Sequence, residues 1–230
     1  MFRITHNNFE RTFDLTQFDT EDINEWQNST RLAEAGWGDR YQYESDVIIN
    51  AIGDNKINSI LEIGSGPGLL SQMIQIKLKY DVQYDLIDKP YAKTYFNDNI
   101  FKGNFYVKDI SIDLDISDLA NEYDLIICND VLEHLLAPIN IVRKMRQLMH
   151  KDSILFISVP NWRMAHQFFY RGLWDYDNFL YMMHVCRLYC EQVYGSPLQT
   201  PYYAKLDSES TMPDELLTSW NFYFKLKKHE

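Results

Sequence analysis

Glu62-Ile63-Gly64-Ser65-Gly66-Pro67-Gly68 joins an apolar run, Ile57–Ile63, to a helically spaced one, Leu69–Lys79. Three glycines on alternate positions permit positive φ and let a ligand approach the backbone closely. A loop of this kind between a strand and a helix marks the carboxyl edge of an open α/β sheet, where ligands bind. The pattern is not the dinucleotide fingerprint GxGxxG, because Leu69 stands where its third glycine or alanine would fall. No Gly-Lys-Ser/Thr follows, so it is not a Walker phosphate loop either. A ligand less dependent on pyrophosphate contacts is expected.

The same rhythm continues outward. Val82–Ile87, Asn104–Val107, Tyr123–Cys128 and Ile154–Val159 are further short apolar runs. Helix-like stretches lie among them at Pro90–Asn99 and Ile139–Met149, and another, Asp39–Asn50, precedes the first run. Continuous apolar runs alternating with helices indicate parallel strands buried on both faces, hence a doubly wound, mostly parallel α/β sheet. Trp220–Leu226 reads as a last strand, antiparallel and at or near the sheet edge. Residues 1–38 form a polar and aromatic lead-in, irregular or partly helical, and 39–230 form the domain. Within it, 162–190 is dense in aromatics and methionine, from Trp162, Phe168 and Trp174 to Met182 and Met183. That stretch is either extra core or an inserted cap that walls an acceptor pocket.

Composition narrows the partners. The chain has 230 residues, 46% hydrophobic and 15% aromatic, enough for a sizeable core. Its net charge of −11 repels a phosphate backbone, so no nucleic-acid partner is expected. The one dense basic run, Lys225, Lys227 and Lys228, reads as a solvated tail. Cys128 reads as a small core residue, and Cys186 and Cys190 form neither a redox CxxC nor a zinc set. With no signal peptide and no long apolar run, the expected location is cytoplasmic, with no membrane partner. The oligomeric state is not legible.

Several polar residues stand where strands end. Glu62 is unusual at the end of a buried strand and must be hydrogen-bonded or paired. It suits bracing the glycine loop and accepting from a ligand ammonium. Asp88 ends the second run, where a carboxylate accepts from both hydroxyls of a ribose, which points to an adenosine-type ligand. Asp109, after the third run, is placed to accept from an adenine amino group, with Ile110 beside the ring.

Glu62, Gly64, Gly66, Gly68, Asp88, Asp109 and the segment Asn129-Asp130-Val131-Leu132-Glu133-His134 together resemble class I S-adenosylmethionine-dependent methyltransferases. The branch most resembled includes the ubiquinone-biosynthesis O-methyltransferases and many small-molecule and sugar methyltransferases. The resemblance covers roughly residues 57–161 and implies a Rossmann-like sheet of seven strands with the last antiparallel. It implies S-adenosylmethionine as cofactor, with Asn129 and Asp130 contacting its methionine part. The sixth strand has no clear place in the sequence.

Methyl transfer from a sulfonium needs an acceptor atom placed in line and water kept out. A hydroxyl acceptor also needs a base, and His134 is the best single candidate for that catalytic role. The alternative is that His134 bonds locally to hold its turn. Asp130, Glu133 and His134 would share one face of a helix and could hold a divalent ion, but no metal is expected. His166, His184, Trp37, Arg163 and Arg171 are weaker pointers toward the acceptor or cofactor. The expected acceptor is a small, sugar-like or partly apolar molecule, methylated on oxygen or nitrogen. Two competing readings are a nonenzymatic cofactor-binding protein of the same fold and a nicotinamide-dependent oxidoreductase.

Overall fold

In a computed structural model of the chain, the described residues are 2–6, 9–13, 37–66, 68–93, 102–120, 122–161, 175–197, 202–204 and 219–229. They fall into two compact units, Met1–Gln42 and Tyr43–Glu230. The first contains a hairpin of β1 (Phe2–His6) and β2 (Phe9–Phe13), with Phe2 opposite Phe13 and His6 opposite Phe9. Over these residues strands stand where an irregular or partly helical lead-in was expected; 14–36 lie outside the described residues. The signal was the Asn7-Asn8 pair between two short runs of residues that suit strands. Helix α1 (Trp37–Ile52) begins in the first unit and ends in the second.

The second unit is one mixed sheet. Its strands are β3 (Ser59–Ile63), β4 (Gln83–Asp88), β5 (Lys102–Val107), β6 (Tyr123–Asn129), β7 (Met149–Pro160), β8 (Leu188–Pro197), β9 (Tyr202–Ala204) and β10 (Ser219–Lys228). The spatial order is β5-β4-β3-β6-β7-β10-β8-β9. The five strands from β5 to β7 run parallel, and β10 is antiparallel to both β7 and β8. The sheet of seven strands expected is thus present, with the three-residue β9 added at its edge. The last strand lies inside the sheet rather than at its margin. The missing sixth strand is β8, whose tyrosines, cysteine and glutamate hide the apolar pattern.

Alternation along the strands builds two buried faces. Leu61, Ile63, Ile126, Cys128, Leu155, Ile157, Phe222 and Phe224 form one core with Ile141, Val142 and Met145 of α4 (Pro138–Gln147). Phe179, Met182 and Met183 of α5 (Tyr176–Val185) join it, and Phe179 stacks on Phe224 at 4.3 Å. The described half of the aromatic stretch is therefore a crossover helix between β7 and β8 followed by the start of β8, and it packs as core. Residues 162–174, with Trp162, Arg163, His166, Arg171 and Trp174, lie outside the described residues.

The opposite face meets α1 and α2 (Leu69–Leu78). The Tyr43 ring meets Tyr223 edge-on, its hydroxyl donates to the Gly195 carbonyl at 2.7 Å, and Ser71 donates to Glu62. A short α3 (Pro90–Lys93) follows β4. The basic run is no tail: Lys225, Lys227 and Lys228 belong to β10. Lys225 pairs with Glu191 at 2.7 Å, while Lys227 and Lys228 donate to the carbonyls of Asp152 and Met149. Among the described residues, no helix is long and apolar enough to cross a membrane.

Candidate cofactor and acceptor site

Strand order sets the site. Because β3 lies between β4 and β6, the glycine loop, Asp88 and Asn129 stand side by side at one edge of the sheet. Gly64, Gly66 and Gly68 all adopt left-handed φ, at 71°, 52° and 83°. Gly64 is further restricted, because a Cβ there would lie 2.1 Å from Cγ2 of Val131. The turn is pinned to its neighbour strand, since the Gly64 amide donates to the Ile87 carbonyl at 2.8 Å. The Gly66 amide donates to Asp88 Oδ2 at 2.6 Å.

The carboxylates differ in their surroundings. Glu62 is buried and accepts from the Ser71 hydroxyl one helical turn into α2. Burial pushes its carboxyl up to about 8, helped by the nearby Glu44 and Asp88 and opposed by the Ser71 bond. Asp88 is also raised by burial, against the bonds that it accepts from the Lys89 and Gly66 amides. Asp109 is exposed and lowered, because the Ser111 hydroxyl and amide both donate to it at 2.5 and 2.9 Å. Ile110 beside it is buried.

Asn129 ends β6 with Nδ2 and Oδ1 both shielded and without a hydrogen-bond partner. Buried amides are nearly always satisfied, so this one stands out at the strand tip with a donor and an acceptor both unused. Asp130 takes φ 50°, and Leu132–His134 is a single 3-10 turn. Asp130, Glu133 and His134 therefore do not share a helix face, contrary to expectation. Asp130 instead accepts from Ser158 Oγ at 2.7 Å and from Asn221 Nδ2 at 2.9 Å. Glu133 is fully buried, while His134 is about a third exposed, its Nε2 3.7 Å from Glu133 Oε1. Burial raises the Cys128 thiol, with Glu133 and then Glu62 adding to the effect. Among the described residues, no cluster suited to holding a metal occurs.

Ser71, Ser158, Asn221 and Glu44 were not singled out from the sequence. Ser71, one turn after Gly68, was findable as the donor that a buried Glu62 demands. Asn221 was not, being 91 residues from Asp130. His184 is exposed, its ring 6.0 Å from that of His229 and away from this edge.

The parallel core, the antiparallel β10 set between β7 and β8, and the glycine turn at the central strand define a class I S-adenosylmethionine-dependent methyltransferase. The chain belongs to the methyltransferase domain family, whose model matches residues 34–189. It is 25% identical over 162 residues to the ubiquinone biosynthesis O-methyltransferase of Glaesserella parasuis serovar 5 (strain SH0165), covering 64% of this chain and 66% of that relative. The solved plantazolicin methyltransferase BamL, in complex with a triazolic analog and SAH, superimposes with TM-score 0.65 at 13% identity, covering 91% of this chain and 95% of that one. A TehB-like SAM-dependent methyltransferase from Corynebacterium glutamicum superimposes with TM-score 0.60 at 18% identity, covering 92% and 100%. At such identities these two likenesses concern the fold.

Proposed function

We propose that this chain transfers the methyl group of S-adenosylmethionine to an oxygen or nitrogen of a small or sugar-like acceptor by direct displacement. The acceptor lone pair forms the new bond to carbon as the carbon–sulfur bond breaks, with its electron pair left on sulfur. The products are the methylated acceptor, S-adenosylhomocysteine and one proton from the acceptor. The observation that carries this reading is the triple left-handed glycine turn, with Gly64 packed on Val131 and Gly66 tied to Asp88.

The cofactor's amino-acid arm lies along the turn, with its ammonium facing Glu62 and the Asn129 amide. The ribose hydroxyls take the Asp88 carboxylate, displacing its bond to Gly66, and adenine lies by Asp109 and Ile110. His134 takes the proton of a hydroxyl acceptor, since its imidazole is partly exposed at the tip of β6 and can accept a proton. Asp130, braced by Ser158 and Asn221, lines the same tip. Oxygen is favoured over nitrogen because the 25%-identical relative is an O-methyltransferase.

Calorimetry with S-adenosylmethionine, followed by turnover across a panel of phenols, sugars and amines, tests the proposal. Binding and S-adenosylhomocysteine formation are expected, with no binding of NAD. Binding without turnover of any acceptor would leave a nonenzymatic cofactor-binding protein.

A further inference from the structure

Glu62 is a carboxylate only 4% exposed, and among the described residues no cation pairs with it. Its hydrogen-bond donors there all belong to Ser71, whose hydroxyl donates to Oε2 and whose amide adds a smaller effect. The charges acting on it from other elements are those of Glu44 on α1 and Asp88 on β4, both acids. Tyr84 of β4 and Cys128 of β6 are within reach of its charge, and burial raises both, which keeps them neutral. Ser71 stands third in α2, after Gly68. Amides in the first turn of a helix lack intrahelical acceptors, and the helix dipole favours an anion beside them. Ser71 is itself fully buried, so bulk water has no access to take over its bond.

We infer that Ser71 is a positioning residue of the cofactor site: by holding Glu62 Oε2 from the first turn of α2, it favours the ionised carboxylate that the ligand ammonium requires, and so sets the pH range over which the cofactor binds. The inference rests on the proposed contact between Glu62 and that ammonium. A protonated Glu62 must release its proton when the ammonium docks. Burial raises this carboxyl to about 8, and the Ser71 hydroxyl is the strongest influence that lowers it. Affinity therefore climbs with pH, by up to about tenfold per unit, until Glu62 is ionised in the free protein. A hydrogen bond donated to an ionised group is worth about one such unit. Removing the Ser71 hydroxyl moves the profile to higher pH by that amount, because the bond supports the ionised carboxylate alike before and after docking.

Calorimetry of S-adenosylmethionine binding to the intact protein, at pH 6.5 and pH 8 and in two buffers of different ionisation heat, tests this. At pH 6.5 Ser71→Ala should bind about tenfold more weakly than the wild type. At pH 8 it should release about 0.4 proton more, because about half of the wild-type Glu62 is already ionised there against about a tenth of the variant's. The ligand's own amine titrates alike in every case and cancels in that comparison. Ser71→Cys keeps the volume and donates only weakly, so it should shift both quantities the same way. In a Glu62→Gln background, Ser71→Ala should leave the proton release unchanged. A merely structural Ser71 would weaken binding equally at both pH values and in both backgrounds, with the proton release unmoved. That result, from either variant, overturns the inference alone. Absence of S-adenosylmethionine binding by the unaltered protein overturns the cofactor site and the inference with it.

Discussion

Glu62 gives the sharpest quantitative test. In the unfolded chain its carboxyl ionises near 4.5, whereas in the folded protein without ligand it does so at about 8. Between these values the folded state holds a proton that the unfolded state has released, so stability must fall as pH rises. The contribution is complete below pH 4.5, declines through the interval and is flat above pH 8. At 1.36 kcal/mol per unit, the 3.5-unit gap corresponds to about 5 kcal/mol at most. Glu62→Gln keeps an oxygen for the Ser71 hydroxyl and removes the ionisation. Urea unfolding of both proteins from pH 5 to 8.5 should show the wild type losing several kcal/mol more than the variant. Titrating groups that do not interact with Glu62 cancel in that difference. An ammonium docking at Glu62 stabilises its ionised form, so cofactor binding near pH 6.5 should release close to one proton. That release is read by calorimetry in two buffers of different ionisation heat, and the variant should lack it. Parallel stability profiles for the two proteins would refute the buried, protonated Glu62. An unchanged proton release in Glu62→Gln would refute its contact with the ligand.

Three further changes separate the loop, the chemistry and the scaffold. Gly64→Ala forces a Cβ against Val131 at positive φ and should cost about 1–3 kcal/mol with loss of cofactor binding; adding Val131→Ala should recover part of the stability. His134→Ala should lower turnover at least tenfold while changing cofactor affinity less than twofold, read by single-turnover kinetics beside calorimetry. Asp124, at the opposite end of β6, accepts from the Asn58 and Ser59 amides and meets His150 Nε2 at 3.0 Å, so Asp124→Ala should destabilise by about 1–3 kcal/mol in urea unfolding while leaving cofactor affinity intact.

The parallel half of the sheet was legible because β3, β4, β6 and β7 are buried on both faces, which leaves uninterrupted runs such as Leu125-Ile126-Ile127. The antiparallel half was less so. β8 mixes Tyr189, Glu191, Gln192 and Tyr194 with Val193, because Lys225 on the neighbouring strand neutralises Glu191, and Tyr194 bonds Gln192. The Glu191 partner comes from another strand, and such pairing has no local signature. β7 begins five residues before its apolar run, at Met149, because Ser153 and His150 satisfy the backbone and side-chain bonds that apolar residues would not.

The site divides along the same line. The places of Glu62, the glycines and Asp88 could be read because each sits at or just past a strand end, and the glycines' positive φ followed from the turn there. Asp130 could not be read correctly, since its neighbours in sequence suggested a helix face shared with Glu133 and His134. What fixes its direction is Ser158 together with Asn221, the latter brought beside it only because β10 enters the sheet next to β7. The chain's end thus orients a residue in its middle. Asn221→Ala should therefore affect ligands through Asp130 alone: if Asp130 contacts the cofactor, this change weakens S-adenosylmethionine binding as Asp130→Asn does, and combining the two adds nothing further. A fully additive pair would mean that Asn221 acts on the ligand by a separate route, and that Asp130 does not depend on it for its orientation.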